Sequence, residues 1–235
     1  MTRVAAVVPA AGRGSRLGPG DAKAMRTVAG VPLVVRAVRA LDASALVQVG
    51  VVVAAVECRQ QVVELLDAVG LAGSWTVVVG GDTRSQSVQR GLRALPTDVD
   101  VVLVHDAARA FVPAAVVARV LAAVEAGADA VVPVVAVADT VKQIDAGGAV
   151  VATPGRLALR QVQTPQGFRR TVLDAAYAGD PATGAPAATD DATLVERLGG
   201  RVVVVDGDPL AFKVTGPLDL LLAAAVARDR DDVAG

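Results

Sequence analysis

The chain has 235 residues with no Pro/Ser-rich or charged linker dividing it, so a single domain over 1–235 is expected. Hydrophobic residues reach 53%, mostly Ala and Val, enough for a large core, while a formal charge of −1 argues against a general nucleic-acid or membrane surface and makes any anion site local. Aromatics at 2% nearly remove base-stacking platforms, Cys58 alone excludes an internal disulfide or thiol metal cluster, and His105 alone excludes multi-histidine metal centres.

A strand is predicted first, at Val4–Pro9, where a β-branched run empties into a loop carrying Gly12, Gly14, Gly18 and Gly20. Arg13, Arg16 and Lys23 stand among those glycines. Glycines let backbone N–H groups close on an anion without a Cβ in the way, and the cations neutralise charge the amides cannot, so the loop reads as a polyphosphate cradle. The apolar run before it is only about seven residues, far short of the roughly twenty that span a bilayer. No signal peptide is expected, and a reducing cytoplasm fits the cysteine usage.

Further strands are predicted at Val47–Ala54, Trp75–Val79, Val101–His105, Ala130–Val135 and Arg201–Val205. These runs are continuous enough to be buried on both faces, which argues for a parallel sheet. Helices are predicted at about Leu33–Leu41, Arg59–Val69, Ser85–Ala94, Ala114–Ala126, Arg169–Ala178, Ala192–Leu198 and Leu218–Ala227, with Pro113 and Pro217 in first-turn places. The tail after Arg228 reads as frayed. The alternation gives an α/β, doubly wound, mainly parallel sheet, whose ligands lie outside the carboxyl ends of its strands.

One segment breaks the rhythm. Between Asp139 and Gln166 the residues alternate around a Gly-Gly turn without helical period. A hairpin projecting from the domain at about 139–166 would account for it, and so would an edge hairpin folded flat on the sheet.

The phosphate loop is neither of the two commonest kinds. No GxxxxGK followed by Ser or Thr is present, and the spacing G-R-G-S-R-L-G is one residue too long for a dinucleotide fingerprint. Asp42 and Glu57 lie beyond the place of a ribose-reading acid, and Pro19-Gly20-Asp21 opposes immediate helix formation.

PAAGRGSRLG, with Lys23 five residues beyond Gly18, resembles instead the signature loop of nucleotidyltransferases that load a sugar or polyol phosphate with a nucleotide. The similarity continues through Gly80–Leu92 (GGDTRSQSVQRGL), Val104–Arg109 (VHDAAR), Thr140–Lys142 (TVK), Gln163–Phe168 (QTPQGF), Thr189–Ala192 (TDDA) and Phe212–Leu220 (FKVTGPLDL). In that order, over almost the whole chain, these segments look like the 2-C-methyl-D-erythritol 4-phosphate cytidylyltransferase family of the non-mevalonate isoprenoid route. Two positions depart from the family's pattern. Ala22 precedes the loop lysine and Ala110 follows Arg109, where proline is customary in each. Neither removes a functional group, so slower or looser chemistry is the most they imply.

The resemblance implies a Rossmann-like nucleotidyltransferase fold with a projecting β-arm. The reaction it implies is attack by an acceptor phosphate oxygen on the α-phosphorus of CTP, with pyrophosphate leaving. Such chemistry rests on positioning and electrostatics and needs no covalent nucleophile, which agrees with a chain almost lacking His and Cys. Arg16 and Lys23 are expected to stabilise the transition state at the triphosphate, with backbone amides at Ala11, Gly12 and Arg13 and contacts from Pro9, Ala10 and Gly14. Gly81, Asp82 and Ser87, with Arg84 nearby, match the family's cytosine slot. Arg109, Arg156 and Lys213 match its cations for the acceptor phosphate, with Thr140 and Thr189 as hydroxyl donors and Ala107 beside them. Arg–phosphate pairing can be bidentate, which fixes direction as well as charge.

Mg²⁺ is expected as cofactor because it bridges phosphate oxygens and needs only one or two carboxylates. Asp106 is the candidate ligand, and acceptance of a substrate hydroxyl is an equally open role for it. His105 is expected to pack at the strand end, since an ionised phosphate oxygen needs no base. In the family, Thr140, Arg109 and Arg156 reach across from a partner subunit, so a homodimer through the arm is implied. An alternative acceptor is another polyol phosphate such as ribitol 5-phosphate. A non-catalytic nucleotide-binding module would be expected to lack at least one of Arg16, Lys23, Arg156 and Lys213, and all four are present.

Overall fold

The structure, a computed structural model, describes residues 2–12, 22–179 and 188–233. In chain order its elements are β1 (Val4–Ala10), β2 (Thr27–Val28), β3 (Val31–Pro32), α1 (Leu33–Asp42), β4 (Val49–Ala54), α2 (Arg59–Ala68), β5 (Trp75–Val79) and α3 (Arg84–Ala94). There follow β6 (Val101–Val104), α4 (Ala114–Glu125), β7 (Ala130–Ala136), β8 (Gln143–Ile144), β9 (Val150–Ala152), β10 (Arg160–Val162) and β11 (Gln166–Arg169). The last are α5 (Arg170–Gly179), α6 (Ala192–Arg197), β12 (Val202–Asp206) and α7 (Pro217–Val233).

The β-branched runs pair in parallel. β1 lies between β4 and β6, and β5 extends the sheet beyond β4. Because every second side chain crosses to the other face, β1 divides its apolar residues between two cores. Val4, Ala6 and Val8 meet the residues that α1, α2 and α4 bury. Ala5 and Val7 meet those of α3, α5 and α6. Each fully buried Val or Leu contributes roughly 1.5–3 kcal/mol, so the two faces carry the stability and the strand ends are left to carry charge.

Gly91 decides how closely α3 seats. A Cβ there would come within 2.5 Å of one methyl of Val7 and 2.9 Å of one of Val53, so only glycine lets the helix lie down on β1 and β4. That close seat delivers the N-terminus of α3 to the carboxyl ends of the strands.

The sheet is mainly parallel, as expected, and β10 and β11 are its antiparallel strands. β11 runs antiparallel between β6 and β7, with Gln166 opposite Val104 and Phe168 opposite Ala130. Val134 pairs with both Val162 and Asp206, so β10 continues the β11 side of β7 while β12 takes the other side, parallel. Gln-Gly-Phe-Arg carries no apolar alternation, which is why it does not read as a strand. Gln166 is fully buried because its amide is satisfied: Nε2 donates to Asp190 at 2.7 Å and Oε1 accepts from the Ala192 N–H at 3.2 Å.

The segment after β7 leaves the main sheet. β8 and β9 pair with each other in a two-stranded sheet of their own, closed by a turn in which Asp145 Oδ1 accepts from the N–H groups of Gly147 and Ala149. Its apolar side chains stay outside the core, Ile144 at 59% and Val151 at 56% exposure. At the other end, α7 runs on to Val233, correcting the frayed tail expected after Arg228. Arg230 stacks its guanidinium 5.9 Å from the centre of the Phe111 ring, and Arg228 Nε donates to the carbonyl of Ala224, so charged residues hold this end of the helix through one contact across the chain and one along it. Among the described residues no helix is long and apolar enough to cross a membrane.

Candidate active site

β1, β4, β5 and β6 all point their carboxyl ends at one edge, and a cavity of about 220 Å³ opens there. The end of β1 supplies Pro9, Ala10, Ala11 and Gly12; the β5–α3 junction supplies Gly81, Asp82, Thr83, Arg84 and Ser87; Asp106, Ala107 and Ala108 follow β6. Lys23 with Ala24 and Lys213 complete the wall. The predicted donor residues and Lys213 therefore converge on one space, although Lys23 and Lys213 stand 190 positions apart in the chain. The predicted Arg13, Gly14 and Arg16 lie outside the described residues.

Lys23 opens a short 3-10 turn, Lys23–Met25, whose next two residues, Ala24 and Met25, are buried. Ala22 stands at φ −49°, ψ 140°, near the φ that a proline ring fixes, so the residue lacking the customary ring still holds the extended geometry before the lysine.

The β5–α3 wall is tightly bonded. A Cβ on Gly80 would sit 2.7 Å from Ala11 Cβ and 2.8 Å from Ser87 Oγ, so glycine is required where the wall meets the loop. Ser87 Oγ accepts from the Gly81 N–H at 3.1 Å and donates to the carbonyl of Thr83 at 3.0 Å. Thr83 caps α3: its Oγ1 accepts from the Gln86 N–H at 3.1 Å while Gln86 Oε1 accepts from the Asp82 and Thr83 N–H groups. Thr83 is not among the residues expected at the site, yet its signal is in the sequence as the capping box Thr83-Arg84-Ser85-Gln86.

Charge gathers on Asp106. Its Oδ2 accepts from Lys213 Nζ at 2.7 Å, and its Oδ1 faces the Arg84 guanidinium at 3.4 Å. Burial alone would raise the Asp106 carboxyl, but Arg84 and then Lys213 outweigh it and hold the group well below the usual carboxylate range. The second face of Arg84 meets Asp191 Oδ2 at 2.7 Å. Burial works against the guanidinium, and Asp191 followed by Asp106 more than offset that, so Arg84 stays charged at any pH of interest.

His105 stands directly behind Asp106 and is fully buried. Its Nε2 lies 3.0 Å from the carbonyl of Arg109, which can only accept, so Nε2 carries the proton and Nδ1 accepts from Thr164 Oγ1 at 3.0 Å. Thr164 Oγ1 in turn accepts from the Asp106 N–H at 3.1 Å. The imidazole thus locks the backbone of Asp106 to the Thr164–Pro165 turn. Burial lowers its pKa from 6.5 to about 4. Below pH 6.5 the unfolded chain takes up a proton that the folded protein refuses, so stability present above that value drains away as pH falls toward 4. Between pH 7 and 4.5, denaturant titration is expected to show the wild type losing about 2 kcal/mol more than a His105→Gln variant. Parallel losses in the two proteins would exclude the imidazole as the cause.

Four predicted acceptor residues do not line the cavity. Arg109 is buried, with one amino group donating to the carbonyl of Ala211 at 2.7 Å and the other to that of Val162 at 3.0 Å. It braces the β6 loop against β10 and the segment before α7, and it does not line this cavity. Burial lowers its pKa, with partial compensation from Asp106. Thr140 and Arg156 are exposed on the β8–β9 segment and its return, where Arg156 donates to the carbonyl of Ala138 at 2.8 Å. Thr189 is exposed too, just before a turn whose two carboxylates point inward. Asp190 Oδ1 accepts from Thr193 N and Oγ1, and Asp191 accepts from Tyr177 Oη as well as from Arg84. Sequence reading places no role on Asp191, Tyr177 or Thr164.

Comparison with known proteins agrees with this geometry. Residues 4–229 match the family model described as 2-C-methyl-D-erythritol 4-phosphate cytidylyltransferase. A protein of that name from Streptomyces avermitilis is 52% identical over 236 residues, covering 97% of this chain and 93% of its own length. Another of that name, from Frankia casuarinae, is 54% identical over 224 residues, covering 95% and 81%. The solved structure of 2-C-methyl-D-erythritol 4-phosphate cytidylyltransferase from Thermus thermophilus is 35% identical and superposes with a TM-score of 0.77 over 97% of this chain and 100% of that one. That of 4-diphosphocytidyl-2C-methyl-D-erythritol synthase from Anaerococcus prevotii superposes at 0.84 with 27% identity, covering 97% and 99%.

Proposed function

The chain belongs to the 2-C-methyl-D-erythritol 4-phosphate cytidylyltransferase family, and from that membership we propose how its cavity carries out the reaction. The enzyme transfers a cytidylyl group from CTP to 2-C-methyl-D-erythritol 4-phosphate and releases pyrophosphate, a step of isoprenoid biosynthesis. The triphosphate lies on the Gly-rich loop against Lys23 and the amides of Ala11 and Gly12, with Arg16 as a second cation. The base enters beside Gly81 and Ser87. An acceptor phosphate oxygen attacks the α-phosphorus in line with the departing pyrophosphate, and Lys213 holds the acceptor's phosphate while Asp106 accepts from one of its hydroxyls. The observation that carries this reading is the shared cavity: Lys23 and the Asp106–Lys213 pair face the same space from different elements. His105, neutral and bonded on both nitrogens, supplies rigidity and takes no proton from substrate.

The residues fit Mg²⁺ as a companion of the triphosphate. Among the described residues no three His, Cys, Asp or Glu side chains gather into a metal cluster, and Asp106 already faces two cations, so the protein offers one carboxylate and no cage. Asp106 would be its one carboxylate contact, a role alternative to accepting the acceptor hydroxyl, and the ion when bound would neutralise charge on phosphate oxygens. For Thr140 and Arg156 we propose a role across a homodimer. Their exposed segment carries Ile144, Val150, Val151 and Leu157 outside the core, apolar surface suited to a second copy. We place the reaction in the cytoplasm, where CTP is supplied.

Pyrophosphate release tests the substrate pair. Purified protein with Mg²⁺ is expected to turn over only when CTP is combined with methylerythritol phosphate, in a panel crossing CTP, UTP, ATP and GTP with that acceptor and ribitol 5-phosphate. Release with ribitol 5-phosphate but not with methylerythritol phosphate would overturn the acceptor.

A further inference from the structure

We propose that Asp191, held in turn by Tyr177, is a positioning residue for the acceptor half of the site: it anchors Arg84 so that Asp106 stays available to substrate. The inference rests on the reading of Asp106 and Lys213 as the acceptor contacts.

Arg84 lies between two carboxylates that differ in kind. Asp191 is 1% exposed and 2.7 Å away; Asp106 borders the cavity and is 3.4 Å away. The short, interior contact is the anchor and the longer one is the contact that an incoming hydroxyl can relax. Asp191 is itself fixed from three directions. Tyr177 Oη, on α5, donates to its Oδ1. The turn that carries it is tied to β11 through Gln166, which bonds Asp190 Oδ2 at 2.7 Å and the Ala192 N–H at 3.2 Å. Asp190 then holds the first turn of α6 through Thr193, at 3.0 Å to the N–H and 2.6 Å to Oγ1. Two helices and the antiparallel strand thus converge on one buried carboxylate whose charged partner reaches the cavity.

Without the Asp191 charge, nothing on this side opposes closure of Arg84 onto Asp106. The carboxylate would then face Lys213 on one oxygen and a tightly docked guanidinium on the other, leaving less of its accepting capacity for an acceptor hydroxyl. The cap that seats α3 is made by Thr83 and Gln86 and does not involve Asp191, so the donor half of the cavity is expected to be little affected by the loss of that charge. The signature is a split between the two substrates, which a general loss of folding would not produce.

Steady-state kinetics of the full chain with CTP, methylerythritol phosphate and Mg²⁺ provide the test. Asp191→Asn is expected to raise the acceptor KM by about tenfold while the CTP KM stays within about twofold of wild type. Tyr177→Phe, which removes one hydrogen bond and no charge, is expected to move the acceptor KM the same way by about threefold. Arg84→Lys, with a single point charge in place of a fork that spans both carboxylates, is expected to raise the acceptor KM at least as much as Asp191→Asn; Arg84 also stands beside the cytosine slot, so only its acceptor KM is compared, and in that KM the double variant is expected to be no worse than Arg84→Lys alone. An unchanged acceptor KM in Asp191→Asn, equal shifts in both KM values of that variant, or additive losses in acceptor KM in the double variant would each overturn the proposal. Should Asp191→Asn fail to fold, unchanged acceptor KM values in both Tyr177→Phe and Arg84→Lys overturn it. Asp106→Asn separates the two levels. If it raises the acceptor KM and Asp191→Asn does not, the positioning role alone falls; if it leaves that KM unchanged, the acceptor reading falls and takes the positioning role with it.

Discussion

Lys23→Ala is expected to give a folded protein that releases pyrophosphate from CTP and methylerythritol phosphate at least about a thousandfold more slowly than wild type. Charge grows on the leaving pyrophosphate as the α-phosphorus is attacked, and a fixed cation at that place acts mainly on the transition state. Lys23 is suited to it by its setting. It lines the cavity beside the β1 loop, its backbone is held by the 3-10 turn, and the buried Ala24 and Met25 keep that turn seated on the core. Its charge also reaches Asp219. That carboxyl is lowered first by the Thr215 hydroxyl, and its Oδ2 also accepts from the N–H groups of Thr215 and Gly216 at the start of α7. Truncation at Cβ removes the cation and leaves these backbone contacts in place, so the melting temperature should move by only a few degrees. The paired measurement is kcat against thermal unfolding. A rate within tenfold of wild type in a folded variant would show that the catalytic charge sits elsewhere, with Arg16 the next candidate.

The parts of the molecule that its sequence makes legible are those fixed by local or repeated signals. Trp75–Val79 is bounded alike by pattern and by structure because an unbroken β-branched run flanked by polar residues has one way to be buried. The cavity wall from Pro9 to Gly12 and from Gly81 to Ser87 is equally legible, since its glycines and its cap serve nearby backbone. What the pattern hides depends on contacts across the chain. β11 is a strand because β6 and β7 leave a gap between them and Gln166 finds amide partners at Asp190 and Ala192, and none of that shows in Gln-Gly-Phe-Arg. Arg84 and Asp191 are 107 residues apart, so no local spacing announces their pairing. Arg109 shows the same limit: two of its guanidinium N–H groups bond the carbonyls of Ala211 and Val162, a bracing use that leaves no trace in composition. The charged tail after Arg228 reads as frayed by its polarity, whereas its helix is held by Arg230 over Phe111.

Removing Lys213 should damage the acceptor half of the reaction most and reveal the state of Asp106 at the same time. Lys213 is 38% exposed in its side chain, so its pairing with Asp106 is partly screened, and Lys213→Ala should cost less than about 1 kcal/mol of stability. Its kinetic cost should be far larger, with kcat/KM for methylerythritol phosphate falling by about a hundredfold or more, because a charge-assisted contact to the acceptor phosphate is lost. The pH profile supplies an independent readout. In the wild type, Arg84 and Lys213 outweigh burial and keep the Asp106 carboxyl well below the ordinary carboxylate range, so Asp106 is ionised at neutral and mildly acidic pH. Without Lys213 one of the two opposing charges is gone while burial remains, so the carboxyl must rise. Protonation would then remove an acceptor of hydrogen bonds that the substrate hydroxyl needs, and the acid limb of kcat/KM should move to higher pH in Lys213→Ala than in wild type. The acceptor's own phosphate titrates identically in both assays and cancels from the comparison. A Lys213→Ala variant that loses activity with an unmoved acid limb would mean that Arg84 alone, fixed by Asp191, suffices to hold Asp106 ionised. A variant with near-normal kcat/KM would remove Lys213 from the acceptor site altogether.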